Sequence, residues 1–255
     1  MTGSQTHKDE QNAPAHRLSP AIELAWGRQA PVRPGPRPAF SLDQVVGAGV
    51  DLADEVGLRQ FSMAKLAARL GSAPMSLYRY VGSKAELLVL MLDAAFGPLP
   101  TTTPPPAPWR EALTFWTHAL YAVYRDHAWI LEVPVRELPR TPNALAWVDF
   151  GLQSLATAGL TGEDQLGALL LLDGHARNAG RLAADLRTAD EDAGAGPSYS
   201  ELMAPLIDAA RFPALRPLLD AGLLESNETT TGEEGFAFGL ERLLDGIDAL
   251  IEARD

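Results

Sequence analysis

The stretch from Phe61 to Lys84 restricts the fold more than any other part of the chain, because it predicts two short helices joined by a tight turn. Ser62 is a favourable N-cap for the first helix. Gly71 follows the last apolar residue and can adopt the left-handed conformation that ends a helix, and Pro74 is tolerated in the first turn of the next one. The inner face of the first helix is expected to consist of Met63, Leu66, Ala67 and Leu70.

The second predicted helix turns a mixed polar and apolar face outwards. Leu77 is expected to point inwards, and a period of about 100° per residue places Pro74 and Val81 on the same side. Met75 and Arg79 then point outwards. Arginine can fork onto guanine, hydroxyl groups can bind bases or phosphates, and apolar atoms suit a thymine methyl group. The residues predicted to contact DNA are Ser62, Met75, Ser76, Tyr78, Arg79, Tyr80 and Lys84.

Two further helices are predicted around this pair. One begins at the Ser41–Gln44 capping box and ends at Gly57. The other begins at Ser83, where Lys84 lies beside free backbone N–H groups and is expected to hold a phosphate. This last helix runs to Phe96 and joins the stretch to the rest of the chain, so we expect it to carry any signal between the two parts.

These residues, at this spacing, resemble the DNA-binding domain of the tetracycline-repressor (TetR) family of transcriptional regulators. The resemblance covers roughly residues 40–253 and is close only at 41–96. It implies an all-α fold, in which an N-terminal three-helix helix-turn-helix DNA-binding domain precedes a larger helical ligand-binding and dimerisation domain. Some relatives carry a basic residue where this chain has Ala64, so the operator sequence cannot be transferred. An ordinary α-hairpin is the alternative. The matching residues are Leu66, Ala67, Leu70, Gly71, Leu77, Tyr78, Val81 and Lys84.

Length and charge both favour two units. A chain of 255 residues exceeds the common domain size of roughly 100–150. The first hundred residues carry ten Lys and Arg against nine Asp and Glu, whereas the remainder carries eleven against twenty-four. Residues 28–84 carry eight basic and four acidic groups, as a phosphate-binding surface requires. The predicted division is a flexible arm at 1–38, a helix-turn-helix DNA-binding domain at 39–97, and an effector-binding and dimerisation domain at 98–255.

The N-terminal arm is rich in Pro and Arg and holds too little apolar sequence to fold alone. Its arginines could reach an adjacent minor groove, as the arms of other helix-turn-helix proteins do. Arg33 and Arg37 are therefore predicted to contact DNA. An untethered tail is the alternative, and Ile22 to Trp26 could form one short helical turn.

The second unit is helical in pattern throughout, with no strand-like alternation. It follows a proline-rich linker at 101–108, which cannot continue a helix. The predicted helices lie near 108–127, 142–159, 162–188, 199–211, 213–221 and 235–253.

The last helix carries more apolar surface than the edge of one small domain needs. It resembles the C-terminal helix of the TetR family, which implies a four-helix dimer interface built with the long helix at 162–188. The alternative is that this surface closes the core of a single subunit. The predicted dimer residues are Leu240, Leu243, Leu244, Ile247, Leu250 and Ile251.

Aromatic residues concentrate between positions 109 and 150, where four of the five tryptophans lie. Such a concentration suits a flat organic ligand, and polar residues set into apolar helices could orient it. The alternative is that the aromatic side chains form ordinary core. The residues predicted to bind an effector are Trp116, His118, Tyr121, Trp147, Phe150, His175 and Asn178.

No motif for catalysis or for a cofactor is present, because HExxH, GxSxG, GxGxxG and a phosphate loop are all missing from the sequence. His118 and His127 would lie on opposite sides of a helix and could not hold one ion together. A metal bridged by a ligand, as among tetracycline-binding relatives, would need His118 or His175. Asp173 and Arg177 are expected to form an ordinary pair. We therefore expect no enzyme activity, no cofactor and no metal.

The sequence contains no cysteine, which excludes disulfides and thiolate sites. No segment approaches the roughly 20 apolar residues that span a bilayer, so a soluble cytoplasmic protein without a membrane partner is expected.

Together these features predict a homodimeric regulator, most often a repressor, that binds double-stranded DNA at a palindromic operator and is released by a small hydrophobic or aromatic effector. The alternative from another class is a helical protein that sequesters small molecules and carries a non-functional DNA-binding head. Binding of DNA at physiological salt would separate the two.

Overall fold

The computed structural model describes residues 18–28, 39–100, 108–135, 138–192, 198–224 and 232–254. Within these ranges every regular element is a helix, which confirms the all-α fold class. The elements are α1 (Pro20–Ala25), α2 (Leu42–Gln60), α3 (Met63–Arg69), α4 (Pro74–Leu77), α5 (Lys84–Phe96), α6 (Trp109–Asp126), a 3₁₀-helix (Ala128–Glu132), α7 (Pro142–Leu155), α8 (Gly162–Asp192), α9 (Tyr199–Met203), α10 (Leu215–Asp220) and α11 (Glu233–Glu252).

Helices α2, α3 and α5 begin at the serine residues that the sequence predicts. Ser41 and Gln44 form a complete capping box, with bonds of 2.8 and 3.1 Å. Ser62 and Ser83 each accept a hydrogen bond from the backbone N–H three residues later. Gly57 adopts a φ of 72° and a ψ of 162°, so the helix is interrupted at the predicted residue, and a short helical segment after this kink carries α2 to Gln60.

The second helix of the central pair is shorter than expected. Regular α-helix covers only Pro74–Leu77, and residues 78–80 continue as turns. The backbone N–H groups of Arg79 and Tyr80 bond carbonyls three residues earlier instead of four, which tightens the chain before Gly82.

The prediction of one helix at 199–211 is wrong beyond Met203, where α9 ends and turns begin. Pro205 explains the ending, because it has no N–H to donate and its ring would clash with the carbonyl four residues earlier.

Close approaches at glycines pack the helices of the second unit against one another. A Cβ atom at Gly151 would lie 2.7 Å from Leu169, and one at Gly180 would lie 2.8 Å from Tyr124. Such distances do not occur between real atoms without movement, so a larger residue at Gly180 would meet Cβ of Tyr124 and push α6 away from α8, whereas one at Gly151 would first displace the end of the Leu169 side chain. At Gly239 of α11, an added Cβ atom would lie 2.5 Å from Cε1 of His175 on α8, so the absence of a side chain allows these two helices to pack closely.

Two sets of hydrogen bonds join the N-terminal helices to the second unit. In the first, Asp93 of α5 is buried and accepts bonds of 3.0 and 3.2 Å from backbone N–H groups in the first turn of α7. Thr141, the N-cap residue of α7, makes no capping bond with its side chain, so Asp93 serves as the cap. The indole N–H of Trp147 also donates to the carbonyl of Gly97 at 3.1 Å.

The second set lies between α2 and the 3₁₀-helix. The Asp54 carboxylate accepts a hydrogen bond of 2.8 Å from the indole N–H of Trp129 and lies 2.9 Å from Nδ1 of His127. Glu132 accepts a bond of 3.3 Å from the backbone N–H of Leu58. A rotation of α2 relative to the second unit must therefore break or bend these bonds.

The helical turn expected at Ile22 to Trp26 is present as α1, two residues earlier in the chain. Ala21 and Ile22 are buried, and α1 packs against α5. The indole N–H of Trp26 donates to the carbonyl of Arg140 at 2.9 Å, which ties α1 to the segment before α7.

Candidate DNA-contacting face and ligand site

Three of the predicted DNA-contacting side chains form the exposed face of α4 and of the turn after it. Met75 is 75% exposed, Tyr78 is 41% exposed, and Arg79 is also exposed. Leu77 is fully buried on the opposite side, which fixes the orientation of this short helix. Ser76 is half-buried at the edge. The face presents a guanidinium group, a phenol and a thioether, which together can bind base edges and a thymine methyl group.

Tyr80, Lys84 and Ser62 are engaged in contacts that hold the N-terminal helices together. The Tyr80 hydroxyl accepts a hydrogen bond of 3.1 Å from the backbone N–H of Phe40. Lys84 Nζ donates to the carbonyl of Phe61 at 2.8 Å and lies 5.3 Å from the centroid of the Phe61 ring. Ser62 caps α3. An ammonium group has three donors, so Lys84 keeps two for another acceptor.

Lys65 on α3 is a basic residue that does not belong to the predicted set of DNA-contacting residues. It is exposed, and its side chain makes no hydrogen bond or ion pair within the described residues. Arg69 on the same helix instead donates to Glu55 at 2.6 Å, and this bond lowers the pKa of the Glu55 carboxyl. The position of Lys65 in the first turn of the predicted helix is the sequence feature that could have identified it as a candidate phosphate contact. Arg33 and Arg37 lie outside the described residues.

Three of the predicted effector residues meet at Phe236, which was not in the predicted set. The Tyr121 ring stacks on Phe236 with 4.5 Å between centroids and 21° between planes. The His175 ring stacks on it at 4.9 Å and 10°, and the His118 ring meets it edge-on at 4.9 Å. We call these four residues the Phe236 cluster. Nothing in the sequence spacing linked Phe236 on α11 to side chains on α6 and α8.

The four remaining members of the predicted effector set lie elsewhere. Trp116, Trp147 and Phe150 are buried on α6 and α7, and the indole N–H of Trp116 donates to the carbonyl of Trp147 at 2.8 Å. Asn178 is exposed on α8, and in the described part of the chain no hydrogen bond or ring contact joins it to the Phe236 cluster.

A hydrogen-bonded group of one buried tyrosine and two half-buried charged residues lies between α6 and α8. The Tyr124 hydroxyl donates to Asp173 at 2.5 Å, and Nε of Arg177 donates to the other carboxylate oxygen at 3.0 Å. The expected pair of Asp173 and Arg177 is thus confirmed. Burial raises the pKa of the Tyr124 phenol well above its ordinary value, and the Asp173 charge raises it further. Phe96 of α5 packs edge-on against Tyr124 at 6.0 Å, so this group touches the connecting helix.

An open groove of about 710 Å³ runs between α6 and α11 and includes His118 in its lining. Beside it, Asp245 accepts hydrogen bonds from Arg110 and Arg242, and these bonds hold the pKa of its carboxyl below the usual range. The apolar part of the lining consists of Pro108, Ala237, Leu240 and Leu244.

The predicted dimer residues divide between the inside and the surface of the subunit. Leu240, Leu244 and Ile247 are buried, Leu243 and Ile251 are half-buried, and Leu250 is exposed. On α8, which packs against α11, Leu166, Leu170 and Leu171 are exposed, with Leu170 at 69%. Exposed leucines therefore lie on α8 as well as on α11.

Within the described residues, no group of three His, Asp or Glu side chains is arranged to hold a metal ion. In the same ranges, no helix combines the length and the apolar character that crossing a bilayer requires.

Two sequence profiles match the chain. The profile described as "Bacterial regulatory proteins, tetR family" matches residues 45–91. The profile described as "Tetracyclin repressor-like, C-terminal domain" matches residues 101–251.

Curated relatives extend this similarity over most of the chain. The HTH-type transcriptional repressor DrrR1 of Streptomyces coeruleorubidus is 33% identical over 249 residues, which cover 93% of this chain and 88% of that protein. The tetracycline repressor protein class A from transposon 1721 of Escherichia coli is 29% identical over 209 residues, which cover 80% and 88% of the two chains.

The fold is also similar to that of solved structures. Apo ActR from Streptomyces coelicolor has a TM-score of 0.68 at 23% identity, covering 87% of this chain and 100% of ActR. ActR in complex with actinorhodin has a TM-score of 0.67, also at 23% identity, with 83% and 98% covered.

Proposed function

Because the chain belongs to the TetR family of bacterial regulatory proteins, we propose that it is a cytoplasmic repressor that binds a palindromic operator as a homodimer and is released from it by a small hydrophobic effector. The observation that carries the proposal is the pair of matching profiles, one over the helix-turn-helix and one over the helices that follow it. No enzymatic step is part of the proposal.

The face of α4 supports the DNA-binding half of this function. Arg79 is the exposed guanidinium suited to a guanine edge, and Met75 and Tyr78 flank it. Lys65 supplies an unpaired charge nearby for a phosphate, and Lys84 supplies two free donors. The N-terminal arm, through Arg33 and Arg37, remains part of the proposal as a minor-groove contact.

The leucine face of α8 supports the dimer. Leu166, Leu170 and Leu171 would be covered by the same helices of a second subunit, together with Leu250 and the exposed edge of Leu243 on α11. Leu240, Leu244 and Ile247 stabilise the subunit from inside instead. In a symmetric pair the two α4 helices then face the same side, as two half-sites of a palindrome require.

The Phe236 cluster supports a small aromatic effector. It gathers two imidazole groups and a phenol around an apolar ring, beside an open groove. ActR, which shares this fold, has been solved with actinorhodin, and a small-molecule ligand for the present chain is consistent with that relative.

Selection of bound sequences from random duplex DNA tests the function directly. We expect enrichment of one palindrome, with two half-sites about one helical turn apart or a multiple of it. Failure to enrich any sequence at physiological salt, together with binding of small aromatic compounds, would instead match a sequestering protein with a non-functional DNA-binding head.

A further inference from the structure

The aromatic slot formed by His118, Tyr121 and His175 is already filled by a side chain of the same subunit. We propose that this slot is the binding site for one planar aromatic ring of the effector, and that Phe236 occupies it as an internal substitute until the ligand displaces it. The inference rests on the proposed function, since it names the ligand class and the first movement at the effector site.

The geometry around Phe236 is that of a ring-binding site. Tyr121 and His175 both stack on the phenyl ring, at 4.5 and 4.9 Å between centroids, and His118 closes one side edge-on. These distances fall in the range that aromatic pairs prefer. Phe236 is only 4% exposed, so its ring is covered as a bound ligand would be.

The slot contains more hydrogen-bonding capacity than a phenyl ring can use. Within the described residues, the Tyr121 hydroxyl and both ring nitrogens of His118 make no hydrogen bond; both rings contact Phe236, and Tyr121 is half-buried whereas His118 is exposed on the groove side. His175 differs, because its Nε2 lies 2.9 Å from the carbonyl oxygen of Phe236. A planar ring bearing hydroxyl or carbonyl oxygens could bond the two free groups while stacking in the same place. This identifies the ligand class as oxygenated planar aromatic compounds.

Phe236 lies in the first turn of α11, where local opening of the helix could carry its ring out of the slot. Gly232, the N-cap residue, contributes no side-chain capping bond, and Gly235 lowers the helix propensity of the same turn. Unsatisfied N–H groups at a helix start without a cap favour local opening. His118 belongs both to the slot and to the lining of the groove between α6 and α11, so the groove lies next to the slot.

Removal of the Phe236 ring tests whether the slot accepts a planar ring of a ligand in its place. The full-length protein and its Phe236→Ala variant are titrated with 2-naphthol by calorimetry, and with decahydro-2-naphthol, which has the same skeleton but no planar ring. We expect Phe236→Ala to bind 2-naphthol at least tenfold more tightly than the wild type, because no side chain has to move, and to bind the saturated compound with a gain below threefold.

Phe238→Ala is the matched control. Phe238 lies two residues further along the same helix but is 65% exposed, and its ring contacts Arg242 at 5.4 Å instead of the slot. Its 2-naphthol affinity should stay within twofold of the wild type. If Phe236→Ala does not fold, Phe236→Leu keeps most of the buried volume without a planar ring and should show the same direction of change.

An affinity for 2-naphthol that is unchanged in folded Phe236→Ala or Phe236→Leu overturns the proposal, and so does an equal gain for the saturated compound. The calorimetric result and the DNA selection can fail separately. A wild-type protein that enriches no DNA sequence while its Phe236 variant gains 2-naphthol affinity would reject the repressor and keep the slot.

Discussion

Arg79 is the exposed guanidinium on the face of α4 and its following turn, and the burial of Leu77 behind it leaves the arginine directed away from the subunit. We predict that Arg79→Ala relaxes the base preference at one position of each half-site, at a cost of about 1–3 kcal/mol for a bidentate contact with guanine. Affinities for operators mutated one position at a time provide the measurement. A uniform loss across all operator variants would assign Arg79 to the phosphate backbone instead.

Lys65 and Lys84 are both lysines of the N-terminal helices, but only Lys84 is tied to the fold through Phe61. We predict that Lys84→Ala lowers the free energy of unfolding by roughly 1 kcal/mol, through loss of that hydrogen bond and of the ring contact. Lys65→Ala should leave stability unchanged and should reduce the salt dependence of DNA binding by about one phosphate contact. Thermal unfolding and salt titrations measure the two effects. Equal stability losses in both variants would contradict the assignment.

Tyr124 makes stability depend on alkaline pH. Its folded-state pKa is raised above the ordinary value of 10.0, first by burial and then by Asp173. The folded protein therefore holds this proton more strongly than the unfolded chain, and the stabilisation is complete below about pH 10 and is lost as the pH rises further. We predict that Tyr124→Phe flattens the fall in stability above about pH 10.

The same variant should also be less stable at neutral pH by roughly 1–3 kcal/mol, because Asp173 keeps only Arg177 as a partner. Denaturant titrations from pH 7 to 11 measure both effects, and Tyr199→Phe, on an exposed tyrosine, is the control. An unchanged alkaline slope in Tyr124→Phe would show that another group causes the loss of stability.

At the scale of single helices, α8 and α11 carry apolar residues of two kinds. Leu170 is exposed, whereas Leu244 is 2% exposed inside the subunit. We predict that Leu170→Glu converts the dimer to folded monomers, because its carboxylate would be buried without a partner only in the interface. Leu244→Glu should destabilise the subunit itself by an amount on the order of several kcal/mol. Sedimentation and circular dichroism separate the outcomes, and an intact dimer in Leu170→Glu would contradict the proposed interface.

The helices themselves follow from local sequence, whereas their arrangement does not. Ser41, Ser62 and Ser83 mark three helix starts because capping is a contact between residues three positions apart. The stop after Met203 was missed although Pro205 lies two residues further on. Local patterns therefore predicted most helix ends, and the error in the 199–211 helix arose because Pro205 was given too little weight.

The proposed ligand site depends on contacts that local sequence patterns cannot predict. His118 and Tyr121 share a face of α6, which sequence spacing shows, but Phe236 and His175 reach them only because α8 and α11 pack closely at Gly239. On α11 the spacing of the apolar residues predicts an apolar stripe, but the spacing does not show which of these residues face the core of the subunit. Both questions depend on which helices become neighbours.

At the scale of the whole molecule, the N-terminal helices are joined to the second unit at α5 and at α2. Asp93 caps α7, and Asp54 binds Trp129, so we expect a shift of α6 or α7 to be transmitted to the helices that carry α4. In the proposed function, operator and effector then oppose each other through one coupling free energy, typically about 1–3 kcal/mol. Such coupling is reciprocal, and it therefore has a quantitative test that needs no knowledge of the regulated genes.

The most direct measurement uses the selected operator and the planar aromatic compound that quenches tryptophan fluorescence most strongly. The dissociation constant of the operator is measured with the protein free and saturated with the compound, and that of the compound is measured with and without operator. We predict that both constants rise by the same factor, about 5–150-fold for the coupling energies above. A compound that saturates the protein while the operator affinity stays unchanged would contradict the account.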